Sequence, residues 1–272
     1  MTSAETTYRK PIIGLMIKNI FFFFLFFLCF ETNAQTGFDY FKDYKPILEK
    51  VKDSGSNLAF TKLLARFKAN DTTLTKYETL ALLIGFTDQP EYRPYDDIDT
   101  EKDIFISNDN GNYEDASAEA DSFLAAHPLS LRALKEKSYS LHQLKKADSS
   151  IYFLDLVHRI MLGMLFSGNG KTPETPIFAL GLNDGERFIE NMGMVVGNKG
   201  TGENKSHLYM EMVEGIGDDG DRQSMYFVIQ HAKNKATGAD KEDNNFKKGS
   251  KKNRKKDAKL KNKKEQDPSP KE

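Results

Sequence analysis

The chain has 272 residues, 39 Lys and Arg against 40 Asp and Glu, a net charge of −1 and one Cys. That length allows one large domain or two small ones, and 39% hydrophobic residues with 11% aromatics exclude both a wholly disordered chain and a polytopic membrane protein. The single Cys excludes a disulfide scaffold, a multi-thiolate zinc site and an iron–sulfur protein. The near-neutral total conceals segregation, because residues 1–34 sum to +1, residues 35–232 to −10 and residues 233–272 to +8. An acidic body therefore carries a basic tail.

The first segment reads as an address. Lys18 precedes an unbroken apolar run from Ile20 to Phe30. Spanning a bilayer as a helix takes about 20 apolar residues, whereas a signal-peptide core needs about 7–15. Thr32-Asn33-Ala34 places small residues at the −3 and −1 positions of a cleavage site, so residues 1–34 are expected to leave a mature chain starting at Gln35. Met16 is an alternative start. The competing arrangement is an uncleaved anchor extending back through Ile12, Ile13, Leu15 and Ile17, which Lys18 interrupts. Cys29 lies inside the apolar run behind Phe27 and Leu28, not behind the small residue a lipoprotein signal requires. Cleavage would leave a chain without Cys and without a stable transmembrane span.

Residues 38–166 read as helical hairpins. Phe41, Tyr44, Ile47, Leu48 and Val51 recur at helical spacing, and Ser54-Gly55-Ser56 ends the pattern. Leu58, Phe60, Leu63, Leu64 and Phe67 resume it. Thr75 and Glu78 form a capping box that opens a third helix, with Gly85 as its expected C′ stop. Residues 86–115 read as loop, because Pro90 and Pro94 disfavour helix and Asn108 to Asn112 is turn chemistry. Apolar residues then recur over 114–127, 130–144 and 149–166, the last carrying Ile151, Leu154, Val157, Ile160, Met161, Met164 and Leu165. Short connections between amphipathic helices imply antiparallel neighbours. His127-Pro128 between two helices, with Ala116 twelve residues before the proline, gives a degenerate tetratricopeptide-like layout without a clean 34-residue period.

Residues 167–232 read as a small β unit. Pro176 to Leu180, His207 to Val213 and Gln223 to Gln230 are strand candidates, Asp184 to Met192 is a short helix, and Gly215 to Asp221 is a hairpin loop. The expected fold class is α+β, with helical hairpins first and a mixed β unit after them. Residues 233–272 hold few large apolar residues and are expected to be a disordered tail.

Two blocks carry a resemblance. The first is Phe67-Lys68-Ala69-Asn70-Asp71-Thr72-Thr73-Leu74-Thr75, followed by Tyr77-Glu78, Gly85-Phe86-Thr87, Gln89 and Tyr92-Arg93-Pro94-Tyr95. The second runs from Ser167 to Ile177, with Asn169 and Thr172 standing where the pattern has Asp and Ser. Together they resemble a bacterial domain-of-unknown-function family, numbered 4919, over roughly residues 40–230. The resemblance implies a secreted or envelope-associated protein, carries no catalytic residues, and does not include the Lys-rich tail.

Gly168-Asn169-Gly170-Lys171-Thr172 is not a phosphate loop, since Leu165 occupies the first glycine position and Pro173 and Pro176 prevent the following helix. Calcium-loop spacing fails at Gly111 and Gly220, where Ile106 and Gly215 replace the required acid. Asp218, Asp219 and Asp221 leave room for a loose Ca²⁺, with a solvated loop as the plainer reading. His127, His142, His158, His207 and His231 form no H-E-x-x-H pair. The acidic run through Asp96, Asp97, Asp99, Glu101 and Asp103 reads as solvated rather than catalytic. No catalytic residue, cofactor or metal site is expected.

The tail has a direct physical consequence. Lys247, Lys248, Lys251, Lys252, Arg254, Lys255, Lys256, Lys259, Lys261, Lys263 and Lys264 are candidate anion contacts, 11 basic residues in an 18-residue stretch. Clustered cations bind polyanions by counterion release, so nucleic acid, anionic lipid headgroups and acidic polysaccharide all qualify. The leading expectation is a non-enzymatic secreted or periplasmic protein that contacts an unknown protein partner. The alternative is an envelope-associated binder of anionic polymer through the tail.

Overall fold

The computed structural model describes residues 38–96 and 98–238. The apolar segment, its cleavage site and the eleven basic tail residues lie outside them.

The first three helices are close to expectation. Helix α1 (Tyr40–Lys52) is capped by Asp39, whose carboxylate accepts the Phe41 and Lys42 N–H groups. It buries Ile47 and Val51 but leaves Phe41 58% exposed, so the apolar pattern is only partly core. Helix α2 (Phe60–Lys68) buries Leu63 and Phe67. Helix α3 (Lys76–Phe86) starts at the capping box: Thr75 Oγ1 accepts the Glu78 N–H at 3.2 Å, and Glu78 Oε2 accepts the Thr75 N–H at 2.8 Å. Arg66 ties this cap to the preceding turn, bonding Asp71 at 2.7 Å and Glu78 at 2.5 Å. Every residue of α3 from Thr79 to Phe86 is buried.

Gly85 is not the stop but the tenth residue of this helix. A Cβ there would lie 2.3 Å from Val51 Cγ1, so the glycine permits α1 to press against α3. The helix ends at Thr87 instead, whose hydroxyl donates to the Ile84 carbonyl at 2.7 Å.

Residues 86–115 correct the loop expectation. Helix α4 (Ile98–Asp109) begins four residues after Pro94 and places Asp99 and Glu101 in its first turn, where negative charge favours a helix. The acidic run that reads as solvated loop thus includes a helix start.

Helices α5 (Tyr113–Ala126), α6 (Leu131–Gln143) and α7 (Ala147–Ser167) follow, joined by short turns. Neighbours α4–α5, α5–α6 and α6–α7 pack on one another, and α7 also packs on α3. Polar stitches fix the pairs. Buried Lys137 donates to the Ser117 carbonyl at 2.8 Å and to Asp121 at 2.5 Å, while Ser138 and Ser150 each donate to the other's carbonyl at 2.8 Å. His127 closes α5 and stacks on Phe123 with centroids 4.4 Å apart.

The Ser167–Ile177 block is a turn that feeds a strand. Ser167 Oγ accepts the Phe178 N–H at 2.6 Å, Asn169 Oδ1 accepts the Lys171 N–H and the Thr175 hydroxyl, and the Gly170 carbonyl accepts the Tyr226 N–H. Asn169 thus acts through its acceptor oxygen, a role that a carboxylate oxygen would equally fill. Strand β1 (Ile177–Phe178) pairs in parallel with β4 (Arg222–Val228). Strands β2 (Val195–Glu203) and β3 (Tyr209–Ile216) complete the sheet in the order β1-β4-β3-β2, with β2–β3 and β3–β4 antiparallel. Helix α8 (Asp184–Asn191) lies over the face carrying Glu211, Val213 and Phe227. Gly185 allows the contact, since a Cβ there would sit 2.7 Å from Phe227 and 2.8 Å from Glu211.

Two elements go beyond the sequence reading. Strand β2 has no alternating pattern and is mostly exposed. Helix α9 (Gln230–Thr237) crosses the expected tail boundary at 232/233, so the chain is still helical for five residues beyond it. The fold is α+β, as expected.

Candidate functional site

Helix α7 is apolar on two sides. Leu156, Val157, Ile160, Met161 and Met164 are buried against α3 and α6. Ile151, Leu154, Leu162 and Leu165 remain exposed, at 57%, 39%, 44% and 43%. With about 100° between successive residues, these four and exposed His158 fall within a stripe roughly 80° wide. Sequence periodicity alone places Ile151, Leu154 and Leu165 in the same apolar set as Val157 and Ile160; the structure turns them outward. By length and composition α7 would also cross a membrane, but here it is the central helix of the array, packed on α3, α6 and β1.

A groove of about 290 Å³ runs beside the stripe. Asn70, Thr72 and Lys76 form one wall, and Asp155, His158 and Leu162 form the other. Asn70 spans it, donating to Asp155 at 3.2 Å and accepting from Arg159 at 2.9 Å. The first block of the family resemblance, 67–78, thus supplies the groove's far wall.

A second concavity, about 60 Å³, lies where the turn after α3, the start of α4, the α5–α6 turn and the Leu180–Asp184 turn meet. It has room for about four or five waters. Phe86, Phe123 and Leu182 wall it, and Arg93, Glu101, His127, Ser130 and Asp184 supply its polar groups. Burial, then the nearby Glu101 and Glu211 carboxyls, push Asp184 up to about 7, while the Gly181 N–H it accepts at 2.9 Å opposes the shift. Asp184 therefore exchanges its proton near neutral pH. The polar groups around it hold structure. Ser130 donates to Glu101 and accepts the Ala133 N–H at 3.1 Å, which makes it the N-cap of α6 rather than a nucleophile. Tyr92 is buried and donates to the Leu180 carbonyl.

Behind this cavity lie two more buried ionisable groups. Glu211, only 1% exposed, is pushed up to about 7, chiefly by burial, and its Oε2 has no hydrogen-bond partner. His231 sits among Tyr40, Tyr44, Tyr92 and Phe178, the last at 4.5 Å between centroids. Burial drives its pKa down to about 3, so it is neutral. No sequence motif marks these residues, because their partners come from distant segments and their neighbours are ordinary core residues.

The remaining sequence candidates are scattered. Asp96, Asp99 and Asp103 do not join Glu101 at the cavity, and Asp97 lies outside the described residues. Asp219 accepts the Asp221 N–H within the β3–β4 loop. His142 lies in the last turn of α6, and His207, with φ of 58°, faces Glu203 at 3.4 Å. Among the described residues, no three His, Cys, Asp or Glu side chains are grouped to hold a metal ion.

Fold and surface together define a helical-hairpin array seated on a small mixed sheet, with one helix face left apolar and open. The chain belongs to the family described as Domain of unknown function (DUF4919), whose model matches residues 45–237. No curated protein and no solved structure matches it.

Proposed function

We propose that this chain is a non-enzymatic protein-interaction module of the cell envelope, which docks a partner helix along the exposed face of α7. One observation carries the reading: four large apolar side chains in a single stripe stand in solvent on a helix whose other faces are buried. Soluble proteins rarely leave a contiguous apolar patch open unless something covers it, and a stripe at i, i+3, i+7, i+11 and i+14 is the register a second helix reads. The tetratricopeptide-like layout around Ala116 and Pro128 supports the same reading. Export is supported by the Ile20–Phe30 run and the Thr32-Asn33-Ala34 cleavage pattern.

A photo-crosslinking residue at position 162, used in the native envelope, is expected to trap a defined product on a mature chain starting at Gln35. The same residue at exposed Glu119 on α5 should trap none. Leu154→Glu should weaken the contact about tenfold or more, the equivalent of about 1.4 kcal/mol. Equal products at both positions, or none at 162, would overturn the reading.

The basic tail favours a second activity, binding of anionic polymer, because 11 of 18 residues from Lys247 to Lys264 are cationic. Retention on a heparin column should fall steeply with salt and vanish when 247–264 is deleted. Retention that survives the deletion would place the anion contact on the body instead.

A further inference from the structure

We infer that the partner helix is α7 of a second copy, packed antiparallel across a two-fold axis at His158. This deepens the docking proposal and rests on it. The stripe is palindromic. Ile151, Leu154, Leu162 and Leu165 lie seven and four residues before His158, and four and seven after it. All five positions are exposed, and on either side of His158 there is no other exposed large apolar residue in α7.

A two-fold axis perpendicular to α7 at His158 sets Ile151 against Leu165 of the other copy, and Leu154 against Leu162. Every apolar group in the stripe then meets another, which is the self-complementarity that a closed dimer requires. A different partner would need no such symmetry.

Charge agrees with the same axis. Asp155 and Arg159 project from one flank, roughly 60° and 100° round from His158. Antiparallel helices place like flank against like flank, so Asp155 of each copy comes alongside Arg159 of the other, about 3 Å apart along the axis. Two cross-pairs of opposite charge thus bracket the two-fold, with the two Arg159 side chains innermost at a similar axial offset. Asp155 is exposed and Arg159 half-buried, and within each copy Asn70 bridges the two, donating to Asp155 at 3.2 Å and accepting from Arg159 at 2.9 Å.

Sedimentation velocity on the purified protein tests this. The wild type should show reversible dimerisation. Leu154→Glu and Leu162→Lys should each weaken it about tenfold or more. The double variant should recover most of the loss, because Glu at 154 then faces Lys at 162 of the other copy. Both positions are exposed, so circular dichroism and the melting temperature should stay near wild type and separate lost pairing from lost folding.

A wild type that stays monomeric into the hundred-micromolar range overturns the inference, as does a dimer that survives both single variants. Single variants that dissociate the dimer without rescue in the double overturn the antiparallel register. The crosslink at position 162 keeps the two readings apart. A monomer that still crosslinks to a different envelope protein sinks the self-pairing and leaves the interaction reading standing; a monomer with no crosslink sinks both.

Discussion

Phe227→Ala is expected to lower the unfolding free energy by roughly 3–5 kcal/mol, the range for deleting a fully enclosed aromatic ring. Phe227 is fully buried on β4, a central strand of the sheet. Its ring meets Phe188 of α8 edge-on at 5.6 Å, and Gly185 passes directly over it. The hole left by the ring would be bounded by backbone on the α8 side, which cannot easily collapse into it. Urea unfolding followed by circular dichroism should show the midpoint fall with little change in slope. Tyr226→Ala, half-buried on the opposite face of the same strand, should cost clearly less. A loss at Phe227 below about 1 kcal/mol would contradict the packing of α8 on the sheet.

The second large effect has the opposite sign. Glu211→Gln is expected to stabilise the protein at pH 8 by about 1–3 kcal/mol and to bring little gain at pH 5. The folded-state pKa of Glu211 is about 7, against an ordinary value of 4.5, because burial disfavours its charge. Below about 4.5 the carboxyl is neutral in both states and carries no penalty. As pH rises from there to about 7, the unfolded chain releases the proton and the folded chain retains it, so stability declines with pH. Above 7 the charge is buried and the penalty is complete. Gln removes that charge and keeps an oxygen for the backbone N–H groups of Asn183 and Gly185.

Asp184, pushed up to about 7, acts in the same direction over the range from 3.8. His231 acts against both: its folded pKa of about 3 lies below the ordinary 6.5, so stability rises with pH between those values. Two groups against one leave stability declining between about pH 5 and 6.5, a slope of roughly one proton. Thermal melts of wild type and Glu211→Gln across this range measure it. A variant less stable than wild type at pH 8 would show that the Glu211 carboxylate is held by a cation in the folded state.

Much of the fold is legible in the sequence where local signals act alone. The Thr75–Glu78 box marks α3 because the cap needs only four residues. The α1 and α2 stripes read correctly, save for exposed Phe41, because each helix has one buried face. Helix α4 does not, since two prolines precede it and its buried residues, Ile104 and Asn108, make a poor apolar pattern. Strand β2 hides for another reason: Gly197, Gly200 and Gly202 weaken β propensity, and pairing with β3 alone extends it. Gly85 misleads because a stop and a close helix contact ask for the same residue. The open face of α7 is visible as apolar positions, but its exposure depends on which sides α3 and α6 occupy, and that is a tertiary fact. The cavity is less legible still, because Glu101, Ser130 and Asp184 come from three separate segments.

The placement of β4 sets an order on synthesis. Its pairing with β1 joins Ile177 to Phe227, about fifty residues later in the chain, whereas the α4–α5, α5–α6 and α6–α7 pairs join segments adjacent in sequence. A growing chain can therefore consolidate its hairpins early, while β1 and β3 wait for the strand that separates them. Until Val228 has emerged, both present bare edges, the surfaces on which chains stick to one another. Extensions beyond Thr237 leave this closure intact, but a stop codon or a protease cut a dozen residues earlier removes the keystone and unlocks two strands at once.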